Sequence, residues 1–169
     1  MLKKLLSLCI ASAMMLSGMT AFAQIEIPLK NGAVMVVYEE GDEIPEIPQT
    51  RSSTFTFSSS FPAYPSYNYI HDSSGNETIT VPIGYNTLRF NFTRDLPTLY
   101  LNVFSMYEGN YITSGTNGLM LVPSPADVFD IKDLNVGNYK VGFAGRDESI
   151  SISGTVTPWN RSEERRVGK

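Results

Sequence analysis

The chain is almost without cysteine: Cys9 is the only one in 169 residues, and it lies in the apolar N-terminal segment. A single thiol excludes any disulfide within the chain. We predict below that this segment is removed, which leaves the mature chain with no cysteine. A protein that is exported to an oxidising compartment without disulfides must obtain its stability from a hydrophobic core.

Histidine is equally scarce. His71 is the only one, which excludes a histidine-rich metal site. Asp72 and Ser73 follow it directly, but three consecutive residues cannot relay a proton as a catalytic triad does. The acidic segment 39–49 lacks the ligand spacing of a calcium-binding loop. We therefore predict no catalytic residue, no metal site and no cofactor.

Basic residues are few once both ends of the chain are set aside. The whole chain has 13 basic and 17 acidic residues, a net charge of −4. Residues 24–160 keep seven basic and fifteen acidic residues, hence a net charge of −8. An acidic domain without a basic patch is a poor match for nucleic acid or for anionic lipid. We predict neither as a partner.

Long apolar runs are confined to the N-terminus, where residues 1–23 have the three parts of a secretory signal peptide. Lys3 and Lys4 form the basic part, Leu5–Met15 the apolar part, and Ala21–Ala23 a small-x-small cleavage site. The apolar part is too short to span a bilayer comfortably, although an uncleaved anchor is the alternative. We predict export by a cleavable signal peptide to a periplasmic, surface-associated or secreted location, with no membrane span in the mature chain.

The other end of the chain, residues 161–169, has the sequence RSEERRVGK and resembles the translation of a common sequencing-adapter oligonucleotide. We interpret it as a non-native tail and leave it out of the arguments on fold and function. The alternative is a solvated basic tail that contacts an acidic partner. The 137 residues between suit one domain. We divide them into N-terminal strands, an acidic linker and a Tyr/Ser/Pro-rich loop at 24–76, and a core at 77–160.

The mature chain also lacks a convincing amphipathic helix, whereas short apolar–polar alternations recur between turn signals. This pattern predicts an all-β protein, an Ig-like antiparallel β-sandwich of about seven strands. Within the alternation Leu88–Phe92, we expect Arg89 to face outward. In residues 134–156 two alternating runs flank a turn at 145–148, which predicts a half-buried antiparallel pair.

Leu134, Gly137 and Tyr139 have the Leu-x-x-Gly-x-Tyr spacing of a tyrosine corner, in which a tyrosine near a strand entrance hydrogen-bonds to upstream backbone. The alternative is that Tyr139 is one more inward aromatic residue. The Cys…Trp…Cys pattern of antibody domains is missing, and we place the sole tryptophan, Trp159, outside the core strands. The likeness to immunoglobulin domains therefore concerns architecture only.

Residues 58–75, SSSFPAYPSYNYIHDSSG, combine aromatic residues with serines and prolines. Exposed tyrosines among short polar residues form adaptable contact surfaces, as in antibody loops. Phe61, Tyr64, Tyr67 and Tyr69 are therefore the candidate binding residues, an aromatic ledge for a protein or a glycan. The alternative is a long loop whose rings cover one end of the sandwich.

Six stretches together carry a family resemblance: QIEIPLKNG at 24–32, Arg51–Ser53, Leu88–Phe92, Leu99–Phe104, and the LNVGNY and GTV elements at 134–139 and 154–156. The sequence resembles the domain-of-unknown-function family 3244, small proteins of gut-dwelling Gram-negative bacteria. The resemblance implies a signal peptide followed by one Ig-like sandwich. That family has no established activity, so the resemblance assigns no functional residue.

From these observations we predict an exported, non-enzymatic binding module for a protein or a glycan. The alternative is a structural or secretion-related domain of the C-terminal sorting type, which has a similar Leu-x-x-Gly-x-Tyr pattern. A small hydrolase is the third hypothesis, and it would need a base beside a nucleophile. An edge strand at Ile25–Leu29 is suited to donation to a partner chain.

Overall fold

The computed structural model describes residues 24–38, 41–47, 53–122 and 127–160. The predicted signal peptide at 1–23 and the C-terminal nonamer at 161–169 lie outside the described residues. Within those residues the chain forms twelve strands and two single 3₁₀ turns, at Lys30–Gly32 and Thr116–Gly118. The predicted all-β fold class is confirmed.

The strands form two antiparallel sheets. The first sheet has the strand order β1-β2-β10-β6-β12-β3. The second has the path β4-β11-β7-β8, with β5 paired to β11 and β9 paired to β7. The strands are β1 Ile25–Pro28, β2 Val34–Val37, β3 Phe55–Phe61, β4 Asn68–Tyr69, β5 Ile79–Val81, β6 Thr87–Phe92, β7 Leu99–Ser105, β8 Asn110–Tyr111, β9 Met120–Val122, β10 Val128–Lys132, β11 Gly137–Gly145 and β12 Ile150–Trp159.

The hydrophobic core lies between the two sheets, where side chains at alternate strand positions meet. Phe61 of β3 and Phe92 of β6 both contact Phe143 of β11 edge to face, with ring centroids 5.5 and 6.0 Å apart. Burying one such ring contributes about 1.5–3 kcal/mol, and an aromatic pair adds about 0.5–1.5 kcal/mol. The two sheets therefore pack as a β-sandwich.

The N-terminal strands are integral to both sheets. β2 pairs with β10, β3 with β12, and β4 with β11, so segments 24–76 and 77–160 share one core. These strands raise the number above the predicted total of about seven. β1 lies at one edge of the first sheet, where an edge strand was expected. Its donation to a partner and the Ig-like topology stay predictions.

The predicted antiparallel pair within residues 134–156 is wrong. β11 belongs to the second sheet and β12 to the first, so the chain crosses the sandwich after Gly145. β11 pairs with β7, while β12 lies between β6 and β3. Apolar alternation identifies the buried face of a strand, but it does not identify the neighbouring strand.

A buried ion pair lies on the outer face of the first sheet. The Arg89 guanidinium donates to both carboxylate oxygens of Asp130, each at 2.7 Å, and lies 4.9 Å from the Trp159 ring centroid. Tyr38 donates to the same carboxylate at 2.7 Å. Arg89 also donates to the Pro45 carbonyl, which anchors the acidic segment predicted as a linker.

Two sequence expectations are corrected by this cluster. Trp159 is the last residue of β12 and is buried, so its placement outside the core strands is wrong. Arg89 alternates with core residues and so points outward as expected, but it is buried because Tyr38, Trp159 and Pro45 surround its guanidinium.

Of the described residues, none belongs to a helix with the length and apolar character that a membrane crossing requires.

Candidate binding face

The second sheet presents one side to the core and the other side outward. In β7 and β11, core residues alternate with residues that point away from the core. The register of the two strands pairs these outward residues: Lys140 with Phe104, Gly142 with Asn102, and Ala144 with Tyr100. Two small residues on β11 therefore leave room for rings from neighbouring segments.

Tyr64 and Tyr100 form a stacked pair on this outer side. Their rings stack with centroids 4.4 Å apart and planes inclined by 23°. Tyr64 is held after the end of β3 by an isolated bridge between Ala63 and Gly145, and its N–H donates to the Gly145 carbonyl at 2.8 Å. Because Tyr64 is 41% exposed, a ligand can reach this stack.

Tyr67, Tyr69 and Tyr111 form a group linked through their hydroxyls. The hydroxyl oxygen of Tyr67 lies 3.3 Å from that of Tyr69 and 3.1 Å from that of Tyr111. A Cβ on Gly142 would lie 2.9 Å from Cδ2 of Tyr67, closer than a carbon atom can approach. Glycine at this position therefore allows the Tyr67 ring to rest on β11.

The remaining ring and the nearest charges complete the surface. Phe104 meets Tyr111 edge to face, with centroids 5.2 Å apart. Lys140 Nζ lies 5.2 Å from the Tyr69 ring centroid and 2.8 Å from Oε2 of Glu77, which neutralises its charge. We define the aromatic face as the six rings of Tyr64, Tyr67, Tyr69, Tyr100, Phe104 and Tyr111.

The hydroxyls of Tyr67, Tyr69 and Tyr111 stay protonated at neutral pH. Burial raises the pKa of Tyr67 and the pKa of Tyr69, and the hydrogen bond with Tyr67 raises the pKa of Tyr111. A protonated tyrosine hydroxyl both donates and accepts hydrogen bonds. The aromatic face therefore combines ring surface with neutral hydroxyls.

Three of the four predicted binding residues meet on the aromatic face: Tyr64, Tyr67 and Tyr69. Phe61 does not, and its assignment to the ledge is corrected. It is the last residue of β3, is 1% exposed and packs on Phe143. Its ring points inward because it continues the alternation that buries Phe57 in the same strand.

Sequence reasoning missed the other three rings of the face, Tyr100, Phe104 and Tyr111. A usable signal was present in β7, where Tyr100 and Phe104 alternate with buried aliphatic residues. A strand that is apolar on both sides must be covered on both sides. That pattern points to a partner layer outside the sheet, although it does not identify the covering segments.

The residues of the predicted tyrosine corner lie at the entrance to β11. The Tyr139 hydroxyl donates to the Asn135 carbonyl at 2.8 Å, which is the backbone contact that such a corner requires. Leu134 is buried, and Gly137 has a φ of 154°, a conformation that favours glycine. Burial raises the pKa of Tyr139, so its hydroxyl remains a donor at neutral pH. These contacts fix the position of β11, on which the aromatic face rests.

An open cleft of about 930 Å³ lies on the first sheet. It is lined by hydroxyl and amide side chains of β3, β6, β12 and the segment after β6, namely Thr56, Ser58, Asn91, Thr93, Ser153 and Thr155. The His71–Gly75 turn also borders it. The Asp72 carboxylate accepts hydrogen bonds from Ser74 N–H, Ser74 Oγ and Asn76 N–H at 2.9, 2.7 and 3.0 Å. The bonds from Ser74 and Asn76 lower the pKa of Asp72, whose role is to hold the turn.

His71 lies beside a serine in the same region. Its Nε2 is 3.4 Å from Oγ of Ser59, and its Nδ1 is 3.2 Å from the carbonyl oxygen of Asp72. The serine contact is longer than the hydrogen bond that joins a nucleophile to its base. A neighbouring backbone carbonyl, rather than a carboxylate, orients the imidazole. The geometry favours a structural role for His71.

Metal ligation finds no support in the described residues, since they contain no group of three or more His, Cys, Asp or Glu side chains arranged to hold an ion.

No protein-family model matches the chain, and no curated protein or solved structure matches it significantly. The resemblance to family 3244 stays a hypothesis. The function must therefore be argued from the aromatic face itself.

Proposed function

We propose that this chain is an exported, non-enzymatic binding module that contacts a neutral glycan through its aromatic face. The observation that carries the proposal is the stacked pair of Tyr64 and Tyr100, because it is both accessible and held in place by backbone contacts. The face of an aromatic ring is electronegative and attracts C–H groups. A pyranose ring presents such groups on its flat sides.

The polar groups of the face suit the same ligand class. The hydroxyls of Tyr67, Tyr69 and Tyr111 can donate to and accept from sugar hydroxyls. Lys140 is paired with Glu77, so the charge nearest to these rings is already neutralised. The acidic balance of residues 24–160 disfavours anionic polysaccharides. A neutral glycan is therefore the better match.

A protein partner is the second candidate, and Leu121 is the observation that favours it. Leu121 of β9 is 45% exposed and is register-paired with Tyr100, so an aliphatic side chain extends the aromatic face. Exposed apolar residues beside tyrosines are typical of protein interfaces. The substitution Leu121→Ser would weaken protein binding strongly and glycan binding little, which separates the two candidates.

The test uses four neutral oligosaccharides: cellohexaose, laminarihexaose, mannohexaose and xylohexaose. Binding is measured by calorimetry for the wild type and for Tyr64→Ala. We expect at least one sugar to bind, and the variant to bind it about tenfold or more weakly, because loss of an aromatic stacking partner costs about 1–3 kcal/mol.

The matched control is Tyr107→Ala. Tyr107 lies in the β7–β8 turn, outside the aromatic face as defined, and is 87% exposed. We expect this variant to bind as the wild type does. Equal binding by Tyr64→Ala and the wild type would contradict the proposed contact surface, and absence of binding to all four sugars would contradict the ligand class.

A further inference from the structure

Asn102 lies at the centre of the aromatic face with an unmet hydrogen-bonding requirement. Its side chain is 0% exposed, yet no described residue donates a hydrogen bond to its Oδ1. Its Nδ2 donates to the Asn117 carbonyl at 3.0 Å. Rotation of the amide by half a turn would place Oδ1 against that carbonyl oxygen, acceptor against acceptor, so the orientation is fixed. A buried acceptor without a donor is rare in folded proteins and requires an explanation.

Two tyrosine rings stand on either side of this asparagine. Tyr67 rests on Gly142, the residue that is register-paired with Asn102 on β11. Tyr111 rests on Gly118, in the turn that accepts the hydrogen bond from the Asn102 amide. The hydroxyl oxygens of the two rings meet at 3.1 Å. We call this pair the arch, since the two rings come from either side of Asn102 and their hydroxyls meet.

We propose that the arch of Tyr67 and Tyr111 is a gate, and that Asn102 Oδ1 accepts a hydrogen bond from one glycan hydroxyl when the gate is open. This inference rests on the proposed function. Opening separates the two tyrosine hydroxyls and turns one ring away from its glycine. A sugar hydroxyl would satisfy the free acceptor without bringing an unpaired charge beneath the rings. Asn102 thereby becomes a specificity-determining residue of the face.

The arch is tested with Tyr67→Phe and Tyr111→Phe, which remove one hydroxyl each and keep both rings. Association rates and affinities are measured with the same four oligosaccharides. Loss of the mutual contact raises the open fraction, so both variants should bind faster and more tightly, up to about fivefold. The gain should be at least as large in Tyr67→Phe, which also loses the contact with the Tyr69 hydroxyl. If these hydroxyls only contacted the ligand, their removal would weaken binding, and that result would contradict the gate.

The acceptor is tested with Asn102→Leu, which removes Oδ1 and keeps a side chain of four heavy atoms with the same branching. We expect about tenfold weaker binding of the sugar that the wild type binds. Because this residue is buried, the thermal transition of the variant is measured alongside. If Asn102→Leu does not fold, the proposal is judged on the binding rates and affinities of Tyr67→Phe and Tyr111→Phe.

The outcomes separate this inference from the proposed function. Wild-type rates and affinities in both phenylalanine variants would show that the arch does not control access to Asn102. The inference would then fail, while weaker binding by Tyr64→Ala would still support the glycan-binding face. If the wild type binds none of the four sugars, both proposals fail together.

Discussion

The outer faces of the two sheets differ although both sheets enclose the same core. The first sheet exposes short hydroxyl side chains where β3 and β12 pair, such as Ser60 and Ser151, whose Oγ atoms lie 2.7 Å apart. The second sheet carries six aromatic rings, two of which need a glycine beneath them: Tyr67 rests on Gly142, and Tyr111 rests on Gly118. Hydroxyl rows suit a sheet that faces water. Rings that cover a sheet from outside require dedicated positions, and this difference is what motivates the proposal that the second face binds a ligand.

The inner faces offer no such contrast, because both must fill one core. Phe92 and Phe143 come from opposite sheets and meet edge to face. Packing dictates their size and apolar character. An outer face is free of that requirement. Its composition therefore says more about function than the composition of the core does.

The largest predicted effect is a loss of stability, and it differs between two positions on the outer face of the first sheet. Asp130→Ala leaves the Arg89 guanidinium buried without its carboxylate, which should lower the free energy of unfolding by about 3–5 kcal/mol. Ser151→Ala, at an exposed position of the same sheet, should change it by less than about 0.5 kcal/mol. Chemical denaturation measures both. A small loss in Asp130→Ala would mean that Arg89 finds another partner, and the buried cluster would not stabilise this face.

A smaller effect compares the two outer faces by introducing valine into each of them. A Cβ on Gly142 would lie 2.9 Å from the Tyr67 ring and 2.9 Å from the Asn68 carbonyl oxygen. Gly142→Val should therefore displace the ring, lower the free energy of unfolding by about 1–3 kcal/mol and weaken glycan binding.

The matched control is Ser58→Val in β3. Ser58 is exposed on the outer face of the first sheet, and valine suits a strand, so the change should stay within about 0.5 kcal/mol. Denaturation and oligosaccharide binding are measured for both variants. Similar small effects would show that the aromatic face adapts as easily as the hydroxyl face.

Much of this fold follows from the sequence. Alternation predicted the all-β class, and the spacing of Leu134, Gly137 and Tyr139 anticipated the hydrogen bond to the Asn135 carbonyl. Composition pointed to Tyr64, Tyr67 and Tyr69, which are three of the six rings of the face. These features depend on residues that are close together in the chain, where local patterns carry the information.

The remainder depends on contacts between distant segments. Tyr67 and Tyr111 are 44 positions apart, and no local pattern indicates that their hydroxyls meet. The orphaned oxygen of Asn102 becomes visible only once β7 and β11 are paired. Phe61 was misassigned because three serines precede it in the sequence, whereas its burial depends on packing against Phe143 of the opposite sheet.

The smallest predicted effect concerns the titration of the arch. The hydrogen bond with Tyr67 is the main cause of the raised pKa of Tyr111, so Tyr67→Phe should move that pKa back toward the ordinary value of about 10. A tyrosine with a higher pKa in the folded state holds its proton more tightly there, so the free energy of unfolding falls as pH rises above about 10. Tyr67→Phe should reduce the share of this alkaline loss that Tyr111 causes. NMR titration of the tyrosine rings measures the pKa, and Tyr107→Phe, which lies outside the face, should leave Tyr111 unchanged. An unaltered Tyr111 titration in Tyr67→Phe would show that the two hydroxyls do not interact, and the second face would then be a set of separate rings rather than a joined surface.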